Sequence, residues 1–288
     1  MKHLEKPCLR PYLSVTRVRE SSPPGRDFLI RDPLRIATNT IMVTQLELQF
    51  LSLLDGTRTL RALQKDIENM IGKGSAPLEA VRSFVISLDY GLFLHSPRFE
   101  ELAQSPIRPY ICHGVFPEKP AAFRKFMRGL FTKPGASGLP TNPRKNKGLK
   151  GILAPHIDYH RGGIQYTPAF RALYEETEAT LFVIIGTSHH CGWRRFTLTR
   201  KNFQTPLGTV RTHQEYIDRL VEKVDVDLFE DEWMAHLPEH SIELEVAFLH
   251  YLFPDNPDLA IVPIVVGSFE EFVEQKKDPA KCPVIKNV

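Results

Sequence analysis

No two of the four cysteines, Cys8, Cys112, Cys191 and Cys282, stand close enough to form a CxxC pair. That spacing excludes a cysteine-only zinc site and gives no disulfide framework, so four reduced thiols are expected. Long apolar runs are also missing. Nothing approaches the ~18–20 residues needed to cross a bilayer, and the opening "MKHLEKPCLRPYL" has no continuous apolar core of the kind a signal peptide carries. The expectation is a cytoplasmic protein without a membrane partner. A dominant charge is lacking as well, since 37 Lys+Arg against 34 Asp+Glu leave +3, too slight to imply a nucleic-acid partner. There is no Walker-type loop and no GxSxG elbow, so neither nucleotide binding nor serine-type nucleophilic catalysis finds support. Internal repeats are absent.

With 288 residues of which 42% are hydrophobic, the chain is long enough for two domains, each with its own core. The first is expected over 1–105. It opens with extended, proline-punctuated sequence and becomes helical in "TQLELQFLSLLDG", where Leu46, Phe50, Leu53 and Leu54 share a helix face. Thr44 is an N-cap with Glu47 three residues on, and Gly56 is the stop. "TRTLRALQKDIENMIG" gives a second helix, and "PLEAVRSFVISLDYGLFLHS" a third that runs into a short strand-like "LFLHS". Three helices and a small strand pair predict a small helical, winged-helix-like domain. A DNA-binding version would need a basic recognition helix, whereas "TLRALQKDIENMIG" mixes its charges.

The second domain is expected over 106–288, with the Pro-, Gly- and Lys-rich "TKPGASGLPTNPRKNKG" as an exposed loop inside it. Short apolar runs alternate there with helical patterns: "LKGILAP", a helix from Thr167, "TLFVIIG", helices at "QEYIDRLVEKV" and "SIELEVAFLHYLF", then "LAIVPIVVG". This alternation predicts an α/β fold with a mostly parallel sheet and flanking helices.

His156 stands just beyond one of these strands in "GILAPHIDYHRGG", and His189 and His190 just beyond "TLFVIIG". Ligand sites in open α/β sheets lie outside the carboxyl ends of strands, so the two spots converge if the strands are neighbours. Of His189 and His190, one is expected to point into the crevice and the other to be held by the loop. Any of these histidines taken alone is as readily a hydrogen-bonded loop or core residue. Asp158 either fixes an imidazole tautomer or completes a metal's ligand set, or it only orders the turn before Gly162 and Gly163. In "PEHSIELEV" the acids Glu239 and Glu243 read as caps and dipole partners of a helix start. His240 does not fit that role, because the positive end of the helix disfavours its protonation and favours the neutral form useful to a metal or a base. Ser241 is a further cap candidate. Cys191 beside the histidine pair carries no sign of activation and reads as a small buried residue. Histidine and carboxylate ligands with open positions fit non-haem iron chemistry best.

The order "APHIDY", "GTSHH", "FQTPLGTV", "EHSIELEVAFLHYLF" and "IVPIVVGSF", from Cys112 to Phe269, resembles the Memo family, whose bacterial and archaeal members are called AmmeMemoRadiSam system protein B. The first part, with "LLDGTRTLRAL" and "LDYGLFL", resembles a PqqD-like domain. The Memo resemblance implies a sheet like that of class III extradiol dioxygenases, an iron or copper ion with a redox role, and work alongside a radical-SAM protein and an AMMECR-type protein. It implies His156 and His189 as metal ligands, with His190 and His240 nearby; these two, together with Asp158 from its place beside His156, are the catalytic candidates. The family's remaining ligand and an Asp/His motif lie in a later segment, and the sequence reaches "CPVIKNV" before either, so the Memo-like domain is expected to be C-terminally incomplete. Cys282 does not sit in the ligand motif. A two-histidine remnant is expected to hold an ion weakly and the incomplete sheet to self-associate. The rival expectation is a non-catalytic protein- or peptide-binding protein with a vestigial metal site.

Overall fold

A computed structural model describes residues 4–18, 25–37, 39–142 and 144–288. Pro143, inside the loop read as exposed, and residues 1–3 of the opening stretch lie outside the described residues. By internal packing the chain divides into two units, Met1–Ser105 and Pro106–Val288.

In the first unit the proline-punctuated start forms strands β1 (Ser14–Arg17), β2 (Phe28–Arg31) and β3 (Ile41–Val43), paired antiparallel in that order. Four helices follow, α1 (Gln45–Ser52), α2 (Leu60–Ile71), α3 (Leu78–Tyr90) and α4 (Pro97–Gln104). The α1 cap is a full capping box: the Glu47 N–H donates to the Thr44 hydroxyl at 3.1 Å, and the Thr44 N–H donates to the Glu47 carboxylate at 2.7 Å. Phe50, Leu54, Leu63, Val85 and Leu88 meet in one core. The unit is therefore helical with a small antiparallel sheet, and the expected strand pair at "LFLHS" is reduced to a single bridge, Leu94 to Leu9. Strands of three or four residues, one of them almost wholly exposed, leave too short an alternation to read.

The second unit runs β4 (Ile107–Arg108), α5 (Pro120–Thr132), α6 (Tyr159–Gly162), α7 (Thr167–Glu176), β5 (Leu181–Thr187), β6 (Phe196–Leu198), β7 (Asn202–Thr205), β8 (Gly208–Thr212), α8 (Gln214–Val221), α9 (Glu232–His236), α10 (Ser241–Leu252), β9 (Ala260–Val266), α11 (Glu270–Glu274) and α12 (Pro283–Asn287). Its sheet has the order β4-β7-β8-β9-β5, with β6 also on β9. The β4–β7, β8–β9 and β5–β9 pairs are parallel, and β7–β8 and β6–β9 antiparallel. The mixed α/β architecture with a mostly parallel sheet is the expected one. Helix α10 is apolar almost all round because it lies inside the unit, with Phe248 stacked on Tyr166 at 4.9 Å and on Phe170 at 4.8 Å.

Proline in a central strand removes a ladder donor, yet Pro263 sits in β9. On the side of β9 away from β5, β8 pairs only with Ala260 and Ile261, and β6 only with Ile264 to Val266. Pro263 falls between them, where no ladder bond is required.

One expected strand does not form among the described residues. "LKGILAP" keeps an alternating burial pattern, but it pairs with no strand among the described residues and Leu153 is 96% exposed. Among the described residues no helix is long and apolar enough to cross a membrane.

Candidate metal centre

Three segments converge at the carboxyl end of β5. Ser188 and His189 follow the strand, His156 ends the unpaired segment 149–156, and His240 occupies the position before the first turn of α10. Gly186 lets β5 and α10 meet. A Cβ there would lie 2.6 Å from both Ile242 Cγ1 and the Ser241 hydroxyl oxygen, so only glycine permits the approach. The Ser241 hydroxyl donates to the Thr187 carbonyl at 2.9 Å and fastens the helix start to the strand end. Ring centroids are 5.2 Å apart for His156 and His189, 5.6 Å for His156 and His240, and 4.6 Å for His189 and His240. One nitrogen from each imidazole lies within 4.8 Å of the others, so the three can hold a metal ion.

Glu239 fixes the arrangement. Its carboxylate, 1% exposed, accepts from the His189 main-chain N–H at 2.8 Å and pairs with His189 Nδ1 at 2.9 Å. It also accepts from the N–H groups of His240 and Ser241, at 2.8 and 2.9 Å. Burial on its own raises this carboxyl, but the bonds from Ser241 and His189 outweigh it and hold the group below its usual range. An ionised carboxylate on Nδ1 keeps the proton there and leaves His189 Nε2 free to ligate. His240 Nδ1 is 3.5 Å from the same carboxylate. Burial lowers the His240 pKa, outweighing Glu239, and the neighbouring imidazoles add to the lowering. A neutral imidazole is the ligating form.

Of the residues singled out from the sequence, the structure brings together His156, His189 and His240. His190 and Asp158 are not in the cluster. Asp158 is exposed and precedes α6, where its carbonyl accepts from Arg161 and Gly162. The glycines after it serve packing, since a Cβ at Gly162 would meet Ile157 at 2.4 Å and one at Gly163 would meet Leu130 at 2.9 Å. Cys191 is 1% exposed and burial pushes its thiol up to about 12, which removes it as a nucleophile.

Arg108 went unread. It is fully buried, bonds to Glu243 at 2.5 Å and donates to the carbonyls of His236, Leu237 and Glu239, clamping the turn that presents Glu239 and His240. Glu243 in turn accepts from the N–H groups of Ile111 and Cys112. Replacing Arg108 by Met should cost ~3–5 kcal/mol in urea denaturation, because a buried carboxylate loses its counter-charge. A cost under ~1 kcal/mol would mean that the clamp is dispensable.

His236 lies behind this turn, 1% exposed, with Nε2 2.9 Å from the Thr197 carbonyl. Burial above all holds its pKa down at about 3. A histidine in the unfolded chain titrates near ~6.5, so on acidification the unfolded state takes the proton first. The stability tied to neutral His236 is complete above about 6.5 and is lost, at ~1.4 kcal/mol per pH unit, as pH falls toward the folded value. The acid limb of a stability profile should therefore be flatter for His236→Gln than for the parent between pH ~6.5 and ~5, and equal slopes would contradict a neutral buried imidazole.

A model of the family described as Memo-like protein matches residues 109–282. The chain belongs to the Memo family. A MEMO1 family protein of Aquifex aeolicus is 30% identical over 260 residues, 87% of this chain and 65% of that protein. Memo relatives from Pyrococcus furiosus and Methanopyrus kandleri are 30% identical over 169 residues and 31% over 150, covering 58% and 51% of this chain. The chain spans 55% and 52% of those two relatives' own lengths. The Memo match takes in His156, His189, Glu239 and His240, so the convergence described above lies wholly within the family's part of the chain.

Proposed function

We propose that this Memo chain is a metal-dependent redox component in which His156, His189 and His240 hold one iron or copper ion on one face and leave other positions open. The observation that carries this reading is the meeting of three imidazoles around Glu239, whose buried carboxylate orients one of them. Imidazole donors suit iron, copper and zinc, and the resemblance to extradiol dioxygenases favours a redox ion. Bound there, such an ion would supply one-electron or oxygen chemistry. The chain's own residues keep His189 in one tautomer, keep His240 neutral and seal the inner side of the site with Ser241 and Glu239. His190 and Asp158, outside the cluster, remain candidates only for contact with whatever binds above it. By the same resemblance the protein works with a radical-SAM protein and an AMMECR-type protein, and by the separate PqqD-like resemblance residues 1–105 form a unit that engages a protein partner. A vestigial site is the weaker reading, because a carboxylate 1% exposed accepts from three main-chain N–H groups and His189 at this one place.

The test is anaerobic reconstitution with Fe(II) followed by nitric oxide, which adds only to iron with an open position. A high-spin iron-nitrosyl signal from the parent and none from His240→Ala is expected. The same signal from both would remove His240 from the site, and no signal from the parent would reject an open iron centre.

A further inference from the structure

The two ligand segments that meet at Glu239 are joined a second time, away from the histidines. On one side, the chain that leaves His189 is pinned to its neighbours. The Cys191 N–H donates to the Ser188 hydroxyl at 3.0 Å, and the Ser268 and Gly267 N–H groups, just past β9, donate to the carbonyls of Gly192 and Arg195 at 2.7 and 3.0 Å. The contact is too close for any side chain at 267, where a Cβ would lie 1.8 Å from the Arg194 carbonyl oxygen. On the other side, the chain from Asp231 to His240 is a run of turns. The Asp231 carbonyl accepts from the Met234 and Ala235 N–H groups at 2.9 Å, the Trp233 carbonyl from Leu237 at 3.0 Å, and the His236 carbonyl from Glu239 at 3.3 Å. Each run is braced along its length.

Asp231 links the two. Its carboxylate accepts from Arg194 Nε at 3.0 Å and from Trp193 Nε1 at 3.3 Å, while Arg194 also pairs with Glu230. Asp231 stands in the left-handed region, with φ 61° and ψ 21°, directly before α9, and aspartate, asparagine and glycine tolerate that conformation at least cost. Bonds from Glu232 to Thr199 and from His236 to the Thr197 carbonyl hold α9 independently. The helix therefore stays in place without Asp231. What Asp231 adds is a fixed spacing between Arg194, on the loop that leaves His189, and α9, whose end leads into His240.

We propose that Asp231 and Arg194 are positioning residues for the three-histidine centre, their ion pair setting the separation between the His189 loop and the turn that presents His240. These roles rest on the reading of that centre as a metal site. Glu239 orients His189 at close range, and the Asp231–Arg194 pair fixes how far apart the two main chains stand. A partly exposed ion pair contributes little to folding, so its removal is read in the metal and not in the denaturation midpoint.

The experiment titrates Fe(II) anaerobically into the 288-residue chain against a chromophoric chelator, with urea midpoints of the metal-free proteins measured alongside. Asp231→Gly keeps the left-handed backbone and removes the carboxylate, and Arg194→Gln removes the cation. Each should weaken Fe(II) binding about 10-fold with a midpoint close to the parent's. The double variant should lose about the same, rather than the ~100-fold product, because both changes break one link. The nitrosyl adduct of Asp231→Gly should show an altered rhombicity. Asp231→Asn, which keeps an acceptor and the left-handed backbone, should restore much of the affinity and the parent signal. The proposal is overturned if the losses multiply, if the midpoint falls in step with affinity, if the nitrosyl signal of Asp231→Gly matches the parent's, or if Asp231→Asn binds as weakly as Asp231→Gly. Parent-like binding by both single variants, while His240→Ala has lost its iron, would overturn it and leave the three-histidine centre standing. Parent-like binding by His240→Ala would remove that centre and these positioning roles together.

Discussion

Loaded anaerobically with Fe(II) and dialysed against a weak chelator, the chain is expected to keep about one equivalent of metal, while His156→Ala, His189→Ala and His240→Ala each keep less than about a tenth. Two histidines alone would leave an ion mostly solvated and lose it. The third imidazole argues for firmer retention, because His240 lies within ligating reach of the other two. Glu239→Gln should fall between these extremes. An amide can still face His189 Nδ1, but it no longer supplies the charge that polarises the ring, and losses of this outer kind run to ~10–100-fold in affinity. Elemental analysis after the chelator wash reads all five proteins. If the three alanine variants keep as much metal as the parent, the ion sits elsewhere.

Gly186→Val should abolish the site without touching a ligand. Its Cβ would start 2.6 Å from Ile242 and Ser241, and valine's two methyl groups would press further between β5 and α10. Overpacking of this kind costs ~1–3 kcal/mol where the neighbours can move. Here they move at the expense of geometry, since any parting of β5 from α10 carries His189 away from His240. The expected result is a folded protein with a lowered denaturation midpoint and metal retention as poor as that of His240→Ala. Retention equal to the parent would show that the ligands do not depend on the close approach.

How much of this was legible follows from where the determining interactions lie. Thr44 and Glu47 sit three residues apart, so the α1 capping box was readable from sequence and is present. The long elements α10 and β9 and the strand-to-histidine placement of His189 were readable for the same reason. What failed depends on distant partners. "LKGILAP" has the composition of a buried strand, but a strand exists only when a neighbour supplies its bonds, and none of the described residues does. Asp158 stands two residues from His156; its main-chain carbonyl orders the following turn, and its carboxylate is exposed outside the histidine cluster. Glu239 reads as a cap or dipole partner; it lies one residue before His240, the N-cap of α10, and its carboxylate accepts from the His240 and Ser241 N–H groups. The signal that it also orients His189 across 50 residues is not in the local pattern, and neither is Arg108, whose partners lie about 130 residues on.

X-ray absorption of the iron-loaded chain measures the central claim most directly. Three imidazoles on one ion predict an average Fe–N/O shell at ~2.0–2.2 Å with the outer-shell scattering of three histidine rings, falling to two rings in His240→Ala. A spectrum with oxygen donors alone or with a single ring in the parent, or an unchanged ring count in His240→Ala, would contradict the three-histidine centre.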